Sequence, residues 1–212
     1  MLVINLKNYK VGKDIEDVVK KVELYYNKAI LAVPATELKE IAKSVGPNMQ
    51  VYAQHVDFSE MGRGTGKIIP ESIVSCGAIG SLLNHSEHKL KLTDIKKTVK
   101  RCNEIGLKLI VCVSNVNEAK EIAKLNPYAL AFEDKALIAT GKSITEHKQN
   151  DIKRFVEALK DTKIIPLCGA GINSGEDVAQ AIVLGCKGVL VSSAVANSQN
   201  PEKFLKEVAN LF

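Results

Sequence analysis

The chain has 212 residues, 46% of them hydrophobic, which suffices for one sizeable core and fits a single domain over residues 1–212. No apolar run approaches the roughly 20 residues that cross a bilayer, the start turns polar at Asn5 and Lys7 before a signal-peptide core can form, and five scattered cysteines without a Cys-x-x-Cys pair exclude a disulfide framework or a zinc knuckle; a cytoplasmic protein with buried free thiols and no membrane contact is expected. The net charge of +5 comes mainly from lysines spread along helical segments, such as Lys96, Lys97 and Lys100, and reads as solvated faces; with 5% aromatic residues and no tryptophan, nucleic acid is not an expected partner.

Eight short β-branched or apolar runs follow one another, at 2–6, 29–33, 49–53, 79–83, 108–113, 128–132, 164–168 and 188–191. Segments of helical period lie between them, among them 14–26, 93–105, 117–125, 151–160 and 176–184, and Thr93 and Ser174 are suited to cap two of these. Such alternation predicts a parallel sheet with the helices outside. Eight units close into a (β/α)8 TIM barrel, and because closure typically takes roughly 250 residues, with about 200 as the floor, the helices must be short.

Along the first run Leu2, Ile4 and Leu6 form an apolar face suited to helices, while Asn5 and Lys7 share the other face with Val3. Polar side chains are therefore expected to point into the barrel. The fourth run leads into Asn84-His85-Ser86-Glu87, with Ser81, Leu83 and His85 on one side, so His85 sits at the carboxyl end of a strand, where β/α barrels carry their reactive groups. A helix is expected to start there, its dipole and free amides favouring a neutral imidazole. His85 and His88 are three apart, but no third ligand follows, and no metal site is expected. On the sixth run Ala129, Ala131 and Glu133 face the barrel and Asp134 does not, so one carboxylate is aimed at the site. The following segment, 135–142, is apolar and then small, as a lid would be. After the seventh run comes Cys168-Gly169-Ala170-Gly171-Ile172, and the eighth ends at Ser192 and Ser193. Barrels bind phosphate between these two loops and a short helix N-terminus. A dinucleotide-binding reading of the glycines fails, because they fall late in the chain and no acid stands about 20 residues on.

Together these residues resemble the triosephosphate isomerases, most closely their compact archaeal form. The resemblance runs through Asn5-Leu6-Lys7, Ala53-Gln54-His55, Asn84-His85-Ser86-Glu87, Glu133 with its lid, the loop from Cys168 to Ile172, and Gly188-Val189-Leu190-Val191, and it covers nearly the whole chain. It implies interconversion of dihydroxyacetone phosphate and glyceraldehyde 3-phosphate, with no metal or cofactor. By the resemblance, Glu133 removes the proton beside the carbonyl, neutral His85 stabilises and shuttles protons between the enediolate oxygens, and Lys7 supplies fixed positive charge. Asn5 adds a hydrogen bond and Glu87 holds Lys7. The phosphate is expected against Ala139, Gly169, Ala170, Gly171, Ser192 and Ser193.

Two departures fall in the lid. The family has proline directly after the glutamate and Gly-Thr-Gly at the phosphate-gripping end, where this chain has Asp134 and Ala139-Thr140-Gly141. Alanine keeps the amide but resists positive φ, so the lid is expected to close less favourably and to lower turnover. The stretch 62–67, Gly-Arg-Gly-Thr-Gly-Lys, resembles the family's loop that enters a neighbouring subunit, which implies a homodimer or, as in compact archaeal forms, a homotetramer. Two other readings stay open at this point. Another phosphosugar isomerase or synthase barrel would share the phosphate end without needing Lys7, His85 and Glu133 together. A non-catalytic phosphosugar-binding scaffold is the other, and retention of all three groups speaks against it.

Overall fold

The computed structural model describes residues 1–134, 136–137 and 143–212. Its elements alternate as β1 (Leu2–Asn5), α1 (Lys13–Tyr25), β2 (Ile30–Val33), α2 (Leu38–Ser44), β3 (Gln50–Ala53), α3 (Pro70–Ser75), β4 (Gly80–Leu83), α4 (Leu92–Ile105), β5 (Lys108–Val113), α5 (Val116–Ala123), β6 (Ala129–Phe132), α6 (Ile144–His147), α7 (Gln149–Glu157), β7 (Ile165–Gly169), α8 (Gly175–Val183), β8 (Gly188–Val191), α9 (Ser193–Ala196) and α10 (Pro201–Ala209). The eight strands pair in parallel, each with the next, and β8 closes on β1 through Leu2 opposite Val189. The expected barrel is therefore present, each strand lying within a residue or so of its predicted run.

Both faces of these strands are covered, which is why they read as unbroken apolar runs. Leu2, Ile4 and Leu6 join Ile15, Val19 and Val22 of α1 in the outer layer, whereas Val3, Ala32, Tyr52, Leu82, Ala131 and Leu167 fill the barrel. Small residues let the interior close around one large ring: a Cβ at Gly80 would stand 2.3 Å from the ring of Tyr52. The barrel bottom is thus plugged by Tyr52, and polar groups concentrate at the other end.

Ser174 caps α8 as expected, in a box with Asp177, each side chain accepting the other's backbone N–H. Thr93 does not cap α4. Lys91 holds that position, and Thr93 lies inside the first turn, because the helix starts one residue before it at Leu92. Lys96, Lys97 and Lys100 are exposed along α4, as solvated charges should be, while Arg101 pairs with Glu71. Four of the five free thiols are buried and Cys76 is half-buried. Among the described residues no helix is long and apolar enough to cross a membrane.

Candidate active site

Glu133 reaches the barrel mouth by simple strand alternation. Ala129 and Ala131 point inward on β6, and the Glu133 N–H still donates to the Val113 carbonyl at 2.9 Å, so the next inward position is Glu133 itself. Its side chain is only 7% exposed, and Oε2 is buried with no hydrogen-bond partner among the described residues. Cys112 of β5 lies against it: burial first, and then the Glu133 charge, push that thiol well above its ordinary pKa, so it stays protonated. Asp134 turns outward as expected, its carboxylate 3.2 Å from Lys148 Nζ.

His85 arrives differently from what its parity predicts. Leu82 packs inside the barrel and Leu83 packs in the outer layer, so sharing a side with Ser81 and Leu83 would have turned His85 away from the site. Asn84 intervenes at φ 59, in the left-handed region, and redirects the chain. The helix expected at His85 is also absent. A single turn stands there, closed by the His88 N–H on the His85 carbonyl at 2.8 Å, and α4 begins only at Leu92. One backbone amide of that turn reaches the ring: the Glu87 N–H donates to His85 Nδ1 at 3.2 Å. A neutral ring that accepts at Nδ1 carries its proton on Nε2, and Nε2 stands 3.8 Å from Glu133 Oε1.

Lys7 follows β1 at φ 46. Its strained backbone is held from both sides, its N–H donating to Asn5 Oδ1 at 3.0 Å and its carbonyl accepting from Gln54 Nε2 at 3.0 Å. The ammonium binds Glu87 Oε1 at 2.7 Å, so Glu87 touches Lys7 with its carboxylate and His85 with its amide. His55 stacks on His88 with ring centroids 4.3 Å apart. Among the described residues no group of three or more His, Cys, Asp and Glu is placed to hold a metal.

A cavity of about 280 Å³ joins these groups to the ends of β7 and β8. Asn5, Lys7, His85, Glu133, Ala170, Gly171, Ser192 and Ser193 all line it. Ala170 and Gly171 sit at φ 75 and 70, a bend that glycine takes freely and alanine only under constraint. Ser193 opens α9 on the cavity wall, where a first helical turn leaves backbone N–H groups unbonded, and Ser192 Oγ is tied to the Asn5 carbonyl at 2.8 Å.

Gly169 is the exception among the expected residues, for it does not line the cavity. A Cβ there would meet the Leu190 carbonyl at 2.9 Å and Glu133 Oε1 at 3.0 Å, so its missing side chain makes room for Glu133. Ala139, with Thr140 and Gly141, lies outside the described residues. Tyr9, Asn173 and Asn197 also line the cavity and were not anticipated. Tyr9 follows the bend at Lys7, where alternation no longer assigns a face. Asn173 and Asn197 come after the two loops and carry no periodic signal.

The chain matches the triosephosphate isomerase family over residues 1–210. It is 38% identical to the triosephosphate isomerase of Methanocaldococcus jannaschii over 218 residues, covering 98% of each chain. The enzyme of that name from Sulfolobus acidocaldarius is 38% identical over 98% of this chain and 92% of its own, and that from Archaeoglobus fulgidus 37% identical over 100% and 97%. With the fold, the matched span and these relatives in agreement, the chain belongs to the triosephosphate isomerase family.

Proposed function

We propose that this chain interconverts dihydroxyacetone phosphate and D-glyceraldehyde 3-phosphate through an enediolate, with Glu133 as base, His85 as electrophile and proton shuttle, and Lys7 as fixed cation. The approach of His85 Nε2 to Glu133 Oε1, 3.8 Å apart in the same cavity as Lys7, carries this assignment. Glu133 takes the proton from the carbon beside the carbonyl through its buried carboxylate, which lines the cavity. Negative charge then grows on the carbonyl oxygen, where the Nε2–H of His85 and the Lys7 ammonium, which line the same cavity, would stabilise it. His85 passes the proton between the two oxygens, and Glu133 returns its own to the neighbouring carbon. Asn5 orients Lys7, and Glu87 keeps both Lys7 and the His85 tautomer in place. The phosphate dianion meets the bend at Ala170 and Gly171 together with Ser192 and Ser193.

The chain would act in the cytoplasm as a homodimer or homotetramer. Residues 62–67 are all exposed, and Met61 beside them is 74% exposed, a surface that suits burial against a second copy. Sedimentation showing a monomer at working concentration removes the oligomer.

A coupled assay of triose phosphate interconversion, run beside Glu133→Gln, tests the reaction. The parent should turn over, and the variant should lose about 10²–10⁴-fold in kcat, the scale of a general base. An inactive parent sinks the reaction; an undiminished variant sinks Glu133 as its base.

A further inference from the structure

Alternation along β4 would carry His85 out of the cavity, and one buried residue reverses it. We propose that Asn84 and Glu118 form a clamp that sets the direction and tautomer of the His85 ring, which makes Glu118, outside the cavity on α5, a positioning residue for proton transfer; its kinetic consequence rests on the isomerase reading above.

Asn84 is 1% exposed, and a non-glycine residue at φ 59 stays there only when its surroundings hold it. Its side chain supplies three such holds. Nδ2 donates to the Cys112 carbonyl of β5 at 2.8 Å and to Glu118 Oε1 at 2.9 Å, and Oδ1 accepts the Leu90 N–H at 3.0 Å. The first bond ties the bend to the neighbouring strand. The last clasps the far side of the turn that contains His85 and Glu87.

Glu118 is anchored in its own right. Its N–H donates to Asn115 Oδ1 at 2.8 Å at the start of α5, and its Oε2 accepts from the Ser114 N–H at 2.7 Å and the Ser114 hydroxyl at 2.9 Å. Lys89 approaches Oε1 at 3.4 Å. Burial would raise its pKa, but the Ser114 amide, Lys89, the Ser114 hydroxyl and Asn84 outweigh burial and hold it below the ordinary carboxylate range. It is therefore an ionised acceptor, firmly placed, facing the Asn84 amide. The path runs from the start of α5 through Glu118 and Asn84 to the turn in which Glu87 donates to His85 Nδ1. Releasing the clamp loosens the ring direction and the bond that selects the tautomer at the same time.

Three variants test this: Glu118→Ala, Glu118→Gln and Asn84→Gly, the last accepting the left-handed backbone while losing all three bonds. Each is read by kcat and KM in the coupled assay and by ¹⁵N shifts of the His85 imidazole in histidine-labelled protein, which has four histidines to resolve. Glu118→Ala should lower kcat on the order of tenfold to a hundredfold, the scale of a displacement of about 1 Å, with KM little changed. The Nδ1 and Nε2 shifts of His85 should move toward the averaged values of mixed tautomers. Glu118→Gln keeps an acceptor for Asn84 and should recover most of kcat and the parent shifts, whereas Asn84→Gly should repeat Glu118→Ala and serves in its place if that variant does not fold. Parent-like kcat together with parent-like His85 shifts in a folded Glu118→Ala or Asn84→Gly overturns the clamp, and so does a lost kcat with unmoved shifts. If the parent itself does not isomerise triose phosphates, the isomerase reading fails separately, and the ¹⁵N shifts alone decide the clamp.

Discussion

His85 Nε2 and Glu133 Oε1 stand 3.8 Å apart across the barrel mouth, yet the two side chains reach that position by opposite backbone routes. Glu133 continues the inward parity of Ala129 and Ala131, whereas His85 is carried inward only by the left-handed turn at Asn84. Their separation exceeds hydrogen-bonding distance, so they do not satisfy each other, and each is left facing the cavity in which a substrate carbon and oxygen would lie.

Lys7→Met removes the cation that Glu87 holds at the cavity wall. The expected result is a fall in kcat/KM of about 10²–10³-fold, the scale of one lost donor to a developing oxyanion. The thermal midpoint should hardly move, because Glu87 is 58% exposed and ion pairs at such exposure contribute about 0–1 kcal/mol. Intact kinetics with a large midpoint shift would make Lys7 a structural residue instead.

Gly169→Ala adds one methyl group where Glu133 Oε1 would be 3.0 Å and Glu133 Cγ 3.2 Å away, against a Leu190 carbonyl that cannot yield. Overpacking of this kind costs about 1–3 kcal/mol, so the variant should fold with a lowered midpoint. Displacing Glu133 by about 1 Å should cost kcat on the order of 10²-fold. A variant that loses stability but keeps kcat would mean that Glu133 tolerates the shift.

Asp134 occupies the place where the family carries proline, and two contacts restrain the chain there. Its Oδ1 accepts the Ala136 N–H at 2.9 Å, and Oδ2 lies 3.2 Å from Lys148 Nζ. Asp134→Ala should therefore lower kcat and raise the phosphate eliminated per turnover, because a less dry site exposes the enediolate. Phosphate release beside isomerisation measures this partition. An unchanged ratio would show that the Asp134 contacts with Ala136 and Lys148 do not protect the intermediate.

Asp177 predicts a pH dependence of stability. Burial raises its pKa, but the N–H of Asn173, the Ser143 hydroxyl and the hydroxyl and N–H of Ser174 outweigh burial and leave it lowered from 3.8. A folded pKa below the unfolded one means that the unfolded chain binds the proton first. The stabilisation is present above about pH 4 and is lost as pH falls through the folded value. Asp177→Asn should cost about 1 kcal/mol at pH 7, the scale of a lost cap, with the gap to the parent closing in acid. Urea midpoints at pH 7 and below pH 3 measure both ends, and a gap that stays constant would rule out the carboxylate as its source.

Much of the site was legible because it obeys local rules. Glu133 and Asn5 follow alternation, and the loop from Gly169 to Gly171 announces a close backbone bend through its composition. Local rules fail where one residue outside the regular regions decides the direction of the chain. Parity gives His85 a side and the sequence predicts a helix start there; a left-handed asparagine overrides the first and a four-residue turn replaces the second. Asparagine is the non-glycine residue best suited to that backbone, so Asn84 itself held the missing signal. Gly169 is expected at the phosphate because glycine permits close backbone approach, whereas a Cβ there would crowd Glu133 and the Leu190 carbonyl.

The sequence by itself determined the barrel, its closure by short units, and the inward direction of Glu133, since strand periodicity and crossover length are properties of adjacent residues. Only the tertiary structure decided where His85 points, because the bend that turns it is held by Cys112, Glu118 and Leu90. It also decided that Gly169 yields space to Glu133 across the β6–β7 pairing, and that Glu87 serves Lys7 and His85 together. Those contacts join residues far apart in the chain, and their energies exist only once the barrel has closed and brought its strand ends to one face.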